Sequence, residues 1–160
     1  MTSQIPTRHP ELVDVCVADA MHPGVLTCRS ETPLRDVARM LASYAVHCIV
    51  VLGSEEEYED GEERSWAVVS DIDLVAAVLA GGVDEHTAGG VAGSPVVLIS
   101  GRETLERAAH LMSEYQTSHL LVVEPDELRP VGIVSTLDVA AALAELPVRS
   151  GPPRVERRST

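Results

Sequence analysis

Two four-residue stretches carry the chemistry readable in this chain: Ser70-Asp71-Ile72-Asp73 and Ser135-Thr136-Leu137-Asp138. Each follows a short β-branched run and leads into an Ala-rich helical pattern, which places it at a strand-to-helix turn. A helix N-terminus presents free N–H groups and the positive end of the helix dipole, and both favour phosphate. A Ser or Thr hydroxyl there can donate to a phosphate oxygen. A carboxylate at the helix start can accept from both hydroxyls of a ribose, as the acidic residue of dinucleotide folds does. Hydroxyl and carboxylate three residues apart thus form a compact reader of a ribose phosphate. The same pair is a capping-box variant, and a single copy reads as a cap alone. Its recurrence after matching strands favours a ligand.

An internal duplication supplies the elements that position these turns. Residues 24–52 align without gaps on 95–123 at an offset of 71, with Val25 on Val96, Leu34 on Leu105, Tyr44 on Tyr115 and Val51 on Val122. Residues 67–78 then align on 132–143 at an offset of 65, because the first copy has a longer connecting loop. That loop, 53–64, holds seven acidic residues and one Arg and reads as a solvated hairpin excursion. Each copy opens on an extended segment (25–28 or 96–99) and continues into a helix. The first helix has Thr32 as N-cap, Pro33 at its first position and an apolar face of Leu34, Val37, Ala38 and Leu41. Leu105, Ala108, Ala109 and Met112 repeat that face. Apolar runs at 48–52 and 119–123 read as strands buried on both faces. A second strand (66–69 or 131–134) and a second helix (73–80 or 138–146) complete a β-α-β-β-α unit, ended by Gly81-Gly82 or Pro147. About 60 residues is marginal for folding alone, so the two α/β (α+β) units are expected to bury their sheets against each other. The organisation predicted is an N-terminal segment 1–16, units 17–82 and 83–146, and a flexible basic tail 147–160.

The 160 residues carry a net charge of −13; every basic residue is Arg, and Lys, Phe and Asn are absent. Such a chain is a poor match for a nucleic-acid polymer, because like charges repel. An apolar share of 45% excludes intrinsic disorder. No stretch approaches the roughly 20 apolar residues of a membrane span, and residues 1–9 lack a signal-peptide core. Cys16, Cys28 and Cys48 form no CxxC pair, and their odd number suits reduced thiols in a cytoplasm. A metal site of His47, Cys48 and His119 is a remote alternative, since a neighbouring His and Cys do not make a zinc centre.

At the level of motif, residues 17–146 resemble a tandem pair of CBS domains, the Bateman module. The resemblance rests on VADAMHPGVLTCRSETPLRDVARML, AVHCIVVL and AVVSDIDL in the first copy. In the second it rests on PVVLISGRETLERAAHLM, TSHLLVV and PVGIVSTLDV. Departures are Ala67 where the family usually has Gly, a Gly-rich 87–92, and Val50 and Leu121 where it often has Pro. The resemblance implies two repeats packed with pseudo-two-fold symmetry and commonly a homodimer. It also implies clefts for AMP, ADP, ATP or S-adenosylmethionine, with no other cofactor required. Carried over by motif, Asp73 and Asp138 would take ribose hydroxyls, and Ser70, Ser135 and Thr136 would meet phosphate. Thr27, Cys28, Val46, His47, Leu98, Ile99, Thr117 and Ser118 would flank the base through backbone groups and apolar contact. His47 can also face phosphate or be a strand-edge His, and His119 reads as structural. Arg29, Arg35, Arg102 and Arg107 are the candidates to neutralise phosphate.

The leading function is therefore a stand-alone, non-enzymatic regulatory module. It would bind an adenine nucleotide and signal in trans to a protein partner the sequence does not identify. The alternative is a structural or dimerisation module with vestigial ligand sites. An enzyme is the weaker reading, since nothing in the sequence places a base beside a nucleophile.

Overall fold

Leu34, Val37 and Leu41 recur at helical spacing, and all three are buried against Ile49, Val51 and Val69 of a neighbouring sheet. This is the register read from the sequence, realised as packing. A computed structural model describes residues 10–53, 66–93, 96–126 and 129–145. The acidic excursion beyond Gly53 and the basic tail lie outside the described residues.

The elements follow in chain order. Helices α1 (Pro10–Val13) and α2 (Val17–Ala20) precede strands β1 (His22–Pro23) and β2 (Thr27–Arg29). Helix α3 (Leu34–Tyr44) leads to β3 (Cys48–Leu52), β4 (Trp66–Ser70) and α4 (Asp71–Ala80). A short 3-10 turn and α5 (Ala88–Val91) join these to β5 (Leu98–Ser100), α6 (Leu105–Glu114), β6 (His119–Val123), β7 (Pro130–Ser135) and α7 (Thr136–Leu143). The β-α-β-β-α order is present twice. No helix among the described residues is long and apolar enough to cross a membrane.

One sheet has the order β2-β3-β4 and the other β1-β7-β6-β5. In each, the first strand of the repeat runs parallel to the second, and the third returns antiparallel (β2‖β3 with β4, β5‖β6 with β7). The middle strands are buried along nearly their whole length, as continuous β-branched runs should be. Helix α3 starts one residue later than expected. Pro33 is its N-cap, with no side-chain cap bond. Both long helices end on a left-handed residue at equivalent positions, Ala45 and Gln116 (φ 51° each). Helices α4 and α7 begin at Asp71 and Thr136, which makes Ser70 and Ser135 the N-caps.

The chain divides into two compact units, and each takes its leading segment from before the other repeat. One unit combines the described part of 1–23 with that of 97–150; the other lies within 24–96. In the first, the Val17 amide donates to the Glu103 carbonyl (2.8 Å), Ala18 to Gly101 (2.9 Å), and Leu105 to Val15 (2.8 Å). In the second, Ala88 donates to Thr32 (2.8 Å), Gly89 to Ser30 (2.9 Å), and Leu34 to His86 (2.9 Å). The six bonds form three pairs related by the offset of 71. At about 0.5–1.5 kcal/mol net each, three bonds hold a leader by a few kcal/mol. Full burial of Val17 and Ala88 adds to this.

Side-chain size is exchanged across this contact. Ala18 faces Gly101 in one unit, whereas Gly89 faces Ser30 in the other. A Cβ on Gly89 would fall 1.9 Å from Ser30 Oγ and 3.2 Å from its carbonyl oxygen. Gly89→Ala is therefore expected to cost about 1–3 kcal/mol in urea unfolding, the usual range for overpacking. In a Ser30→Gly background that cost should fall by about 1 kcal/mol or more. Equal costs in the two backgrounds would contradict this packing.

Candidate functional site

Strand β4 delivers Ser70 to the start of α4, and β7 delivers Ser135 to the start of α7. In each unit the motif closes on itself. The Ser70 amide and hydroxyl both donate to Asp73 Oδ2 (2.8 Å each), and the Asp73 amide donates back to Ser70 Oγ (3.3 Å). The Ser135 amide and hydroxyl donate to Asp138 Oδ2 at 2.7 and 2.9 Å. The capping reading of Ser-x-x-Asp is thus physically present in both copies. It does not exhaust the carboxylate, which offers about four acceptor positions.

The two carboxylates differ in surroundings. Asp138 is buried, at 5% exposure, and His22 of β1 sets its Nδ1 3.2 Å from Asp138 Oδ1. Asp73 is half-buried, and the residue at the corresponding leader position is Gly93, whose absent Cβ would sit 3.6 Å from Asp73 Oδ1. The close approach of β1 depends on Gly132. A Cβ there would meet the His22 carbonyl at 2.5 Å and Met21 Sδ at 2.7 Å. Ala67 occupies the equivalent position of β4, where among the described residues no leader strand pairs. That accounts for the departure from Gly in the first copy.

The remaining candidates divide by burial. Thr27 and Leu98 are exposed at their strands, whereas the Cys28 and Ile99 side chains turn into the cores. These two could face a ligand through backbone alone, which corrects the expectation of side-chain apolar contact. Burial pushes the Cys28 thiol up to about 11, against an opposing hydrogen bond from Thr32. Val46 packs against the core of its unit, and the His47 carbonyl accepts the Asp71 amide (3.0 Å). In the same way the Ser118 carbonyl accepts the Thr136 amide (3.0 Å). Thr117 Oγ1 donates to the His119 carbonyl (3.1 Å), and Ser118 Oγ lies 2.8 Å from His119 Nδ1.

Exposed His47 pairs its Nδ1 with Asp71 Oδ2 at 2.8 Å. Asp71 Oδ1 also accepts the Ile72 amide (2.9 Å). The first three amides of α4 are consequently satisfied within the protein, and the Asp71 carboxylate stands at the opening of the turn. At α7 that place belongs to Thr136, a hydroxyl. Phosphate therefore fits the second turn better than the first. Of the arginines expected to neutralise phosphate, Arg35 is committed to Asp84 by two bonds (2.7 and 2.8 Å). Arg102 borders an open cavity of about 490 Å³ with Met21, Glu124 and Asp126, and no other candidate ligand residue lines it. No group of three or more His, Cys, Asp or Glu among the described residues could hold a metal ion.

The protein family whose pattern matches is the CBS domain, at residues 17–80 and 88–145. The chain belongs to the CBS-domain family. Solved structures share the fold of this CBS pair. Hypoxic Response Protein I with two coordinated zinc ions is 24% identical, with a TM-score of 0.61, over 79% of this chain and 97% of that one. The CBS domain protein PAE2072 from Pyrobaculum aerophilum, complexed with AMP, is 24% identical with a TM-score of 0.67, over 82% and 98%. The CBS domain of a bacterial CNNM/CorC family Mg2+ transporter, in complex with ATP, is 15% identical with a TM-score of 0.67, over 85% and 92%. No curated protein sequence matches the CBS pair.

Sequence reasoning missed His22 and left Asp71 without a role. His22 stands at the offset of 71 from Gly93, but that register acquires meaning only once the leaders are seen to dock on opposite repeats. The thiols give a direct check of the placements. Cys16 is exposed, and Cys28 and Cys48 are buried. A thiol near 11 is only about one part in a thousand thiolate at pH 8. DTNB at pH 8 should label one thiol rapidly in the folded protein and three after unfolding. Rapid labelling of two or more in the folded state would contradict the inward turn of β2 and β3.

Proposed function

We propose that this CBS pair is a regulatory module that binds an adenine nucleotide, AMP, ADP or ATP, or a related adenosyl ligand such as S-adenosylmethionine. In this reading Asp73 and Asp138 accept ribose hydroxyls, and Ser135, Thr136 and Ser70 lie toward the phosphates. Backbone at 27–28, 46–47, 98–99 and 117–118 borders the base. The observation that carries it is the duplicated capping box. At equivalent turns of two repeats, one carboxylate oxygen is held by the Ser amide and hydroxyl, which fixes the carboxylate at the start of the helix. The AMP- and ATP-bound relatives of the same fold support the ligand class. The response would pass in trans to a protein partner and through a homodimer, which would cover Ile72, Val75 and Leu79, at least half exposed on α4. The site groups serve binding rather than a reaction, and the setting is the cytoplasm.

The test must separate binding from folding. Replacing either Asp by Ala removes a helix cap worth about 0.5–2 kcal/mol. Asn keeps a carbonyl oxygen for the Ser donors and removes the charge. Calorimetry on ligand-stripped protein with AMP, ADP, ATP and S-adenosylmethionine should show heat with at least one. Asp73→Asn and Asp138→Asn should each weaken one binding step by tenfold or more, about 1.4 kcal/mol. No heat with any of the four would overturn the reading. Unchanged heats in both variants would favour the vestigial-site alternative.

A further inference from the structure

The first helical place of α4 holds Asp71 and that of α7 holds Thr136, two positions related by the offset of 65. Their backbone settings match. The Asp71 amide donates to the His47 carbonyl and the Thr136 amide to the Ser118 carbonyl, at 3.0 Å in both turns. Their side chains differ in charge. Asp71 Oδ1 accepts the Ile72 amide at 2.9 Å, and Asp71 Oδ2 lies 2.8 Å from His47 Nδ1. The next amide, that of Asp73, donates to Ser70 Oγ at 3.3 Å. A helix start attracts an anion through its N–H groups and the positive end of its dipole. In α4 an anion of the chain itself already holds that place, with both oxygens engaged. The Asp71 side chain is half-exposed, so an incoming ligand meets its charge. Thr136 brings a neutral hydroxyl to the same place in α7, and a hydroxyl can donate to an anion.

We propose that Asp71 makes the Asp73 site selective for adenosyl ligands without a phosphate, those whose 5′ substituent is neutral or cationic. The inference rests on the ribose and phosphate placements assigned above to the two turns. In that reading a nucleotide held through its ribose by Asp73 brings its phosphate to the start of the same helix. There it must displace Asp71 Oδ1 from the Ile72 amide, and it stands beside a like charge, which repels a phosphate rather than ordering it. A nucleoside meets neither cost. Discrimination of this kind works by penalising the wrong ligand, with no new contact to the right one. The Asp138 site, with Thr136 at its turn, carries no such penalty and takes the phosphorylated nucleotide.

The two copies offer reciprocal variants. Asp71→Thr gives the first turn the residue of the second, and Thr136→Asp does the reverse. The experiment is calorimetric titration of the ligand-stripped full chain with adenosine and with AMP, each binding step assigned by Asp73→Asn or Asp138→Asn. The readout is the ratio of AMP to adenosine affinity at each step. A general loss of stability cancels in that ratio, because both ligands read the same folded site. In the unaltered chain the ratio should be lower at the Asp73-dependent step than at the Asp138-dependent step. Asp71→Thr should raise it about tenfold at the Asp73-dependent step, and Thr136→Asp should lower it about tenfold at the other. An unchanged ratio in Asp71→Thr would overturn the inference while leaving the ribose role of Asp73 intact. If Asp71→Thr fails to fold, Thr136→Asp decides alone, and an unchanged ratio there overturns it. Heats that Asp73→Asn leaves unaltered for both ligands would overturn the ribose role of Asp73, and the inference with it.

Discussion

Three backbone hydrogen bonds, made twice, determine where each leader lies on its unit. The leader before each repeat gives and accepts main-chain bonds at the turn that opens the first long helix of the other repeat. Main-chain groups carry no side-chain information, so this docking survives large differences between the leaders. One reads Val17-Ala18-Asp19-Ala20-Met21 and the other Ala88-Gly89-Gly90-Val91-Ala92. Steric fit is kept by exchanging which partner is small. What differs is the residue each leader carries to the end of its path, and that residue lies over a capping-box carboxylate.

The capping box supplies stability, and on the proposed reading ligand recognition, with the same atoms. Ser70 and Ser135 hold one oxygen of their aspartates, satisfying a helix start and fixing the carboxylate rotamer before any ligand arrives. A preordered acceptor loses less entropy on binding than a mobile one. The two sites then diverge in charge. His47 and Asp71 pair by a hydrogen bond at the first turn, and Ser118 and Thr136 carry hydroxyls at the second. A duplicated scaffold thus carries two unlike turns that differ in a few side chains, on a backbone frame shared by the copies.

Much of this was legible in the sequence, for identifiable reasons. The gapless offset of 71 revealed the duplication because buried helix and strand faces keep their spacing. Strands 48–52 and 119–123 were legible because burial along their length demands continuous apolar residues. The Ser-x-x-Asp turns stood out because two caps at matching places are harder to explain than one. Three things were hidden. The start of α3 shifted by one residue because Pro33, extended at ψ 138°, takes the N-cap place itself. The inward turn of Cys28 and Ile99 follows from strand alternation, which a three-residue strand is too short to display. His22 lay outside reach because its contact depends on which repeat the leader docks on, a tertiary fact with no local signature.

The acidic balance of the chain disfavours a nucleic-acid polymer but leaves room for a single nucleotide held by hydroxyls and fixed carboxylates. The central claim is that the capping-box carboxylates read ribose. A crystal structure with AMP at saturating concentration tests it most directly. The account predicts ribose hydroxyls within hydrogen-bond distance of Asp73 or Asp138 wherever AMP is bound. AMP bound with its ribose away from both carboxylates would contradict it.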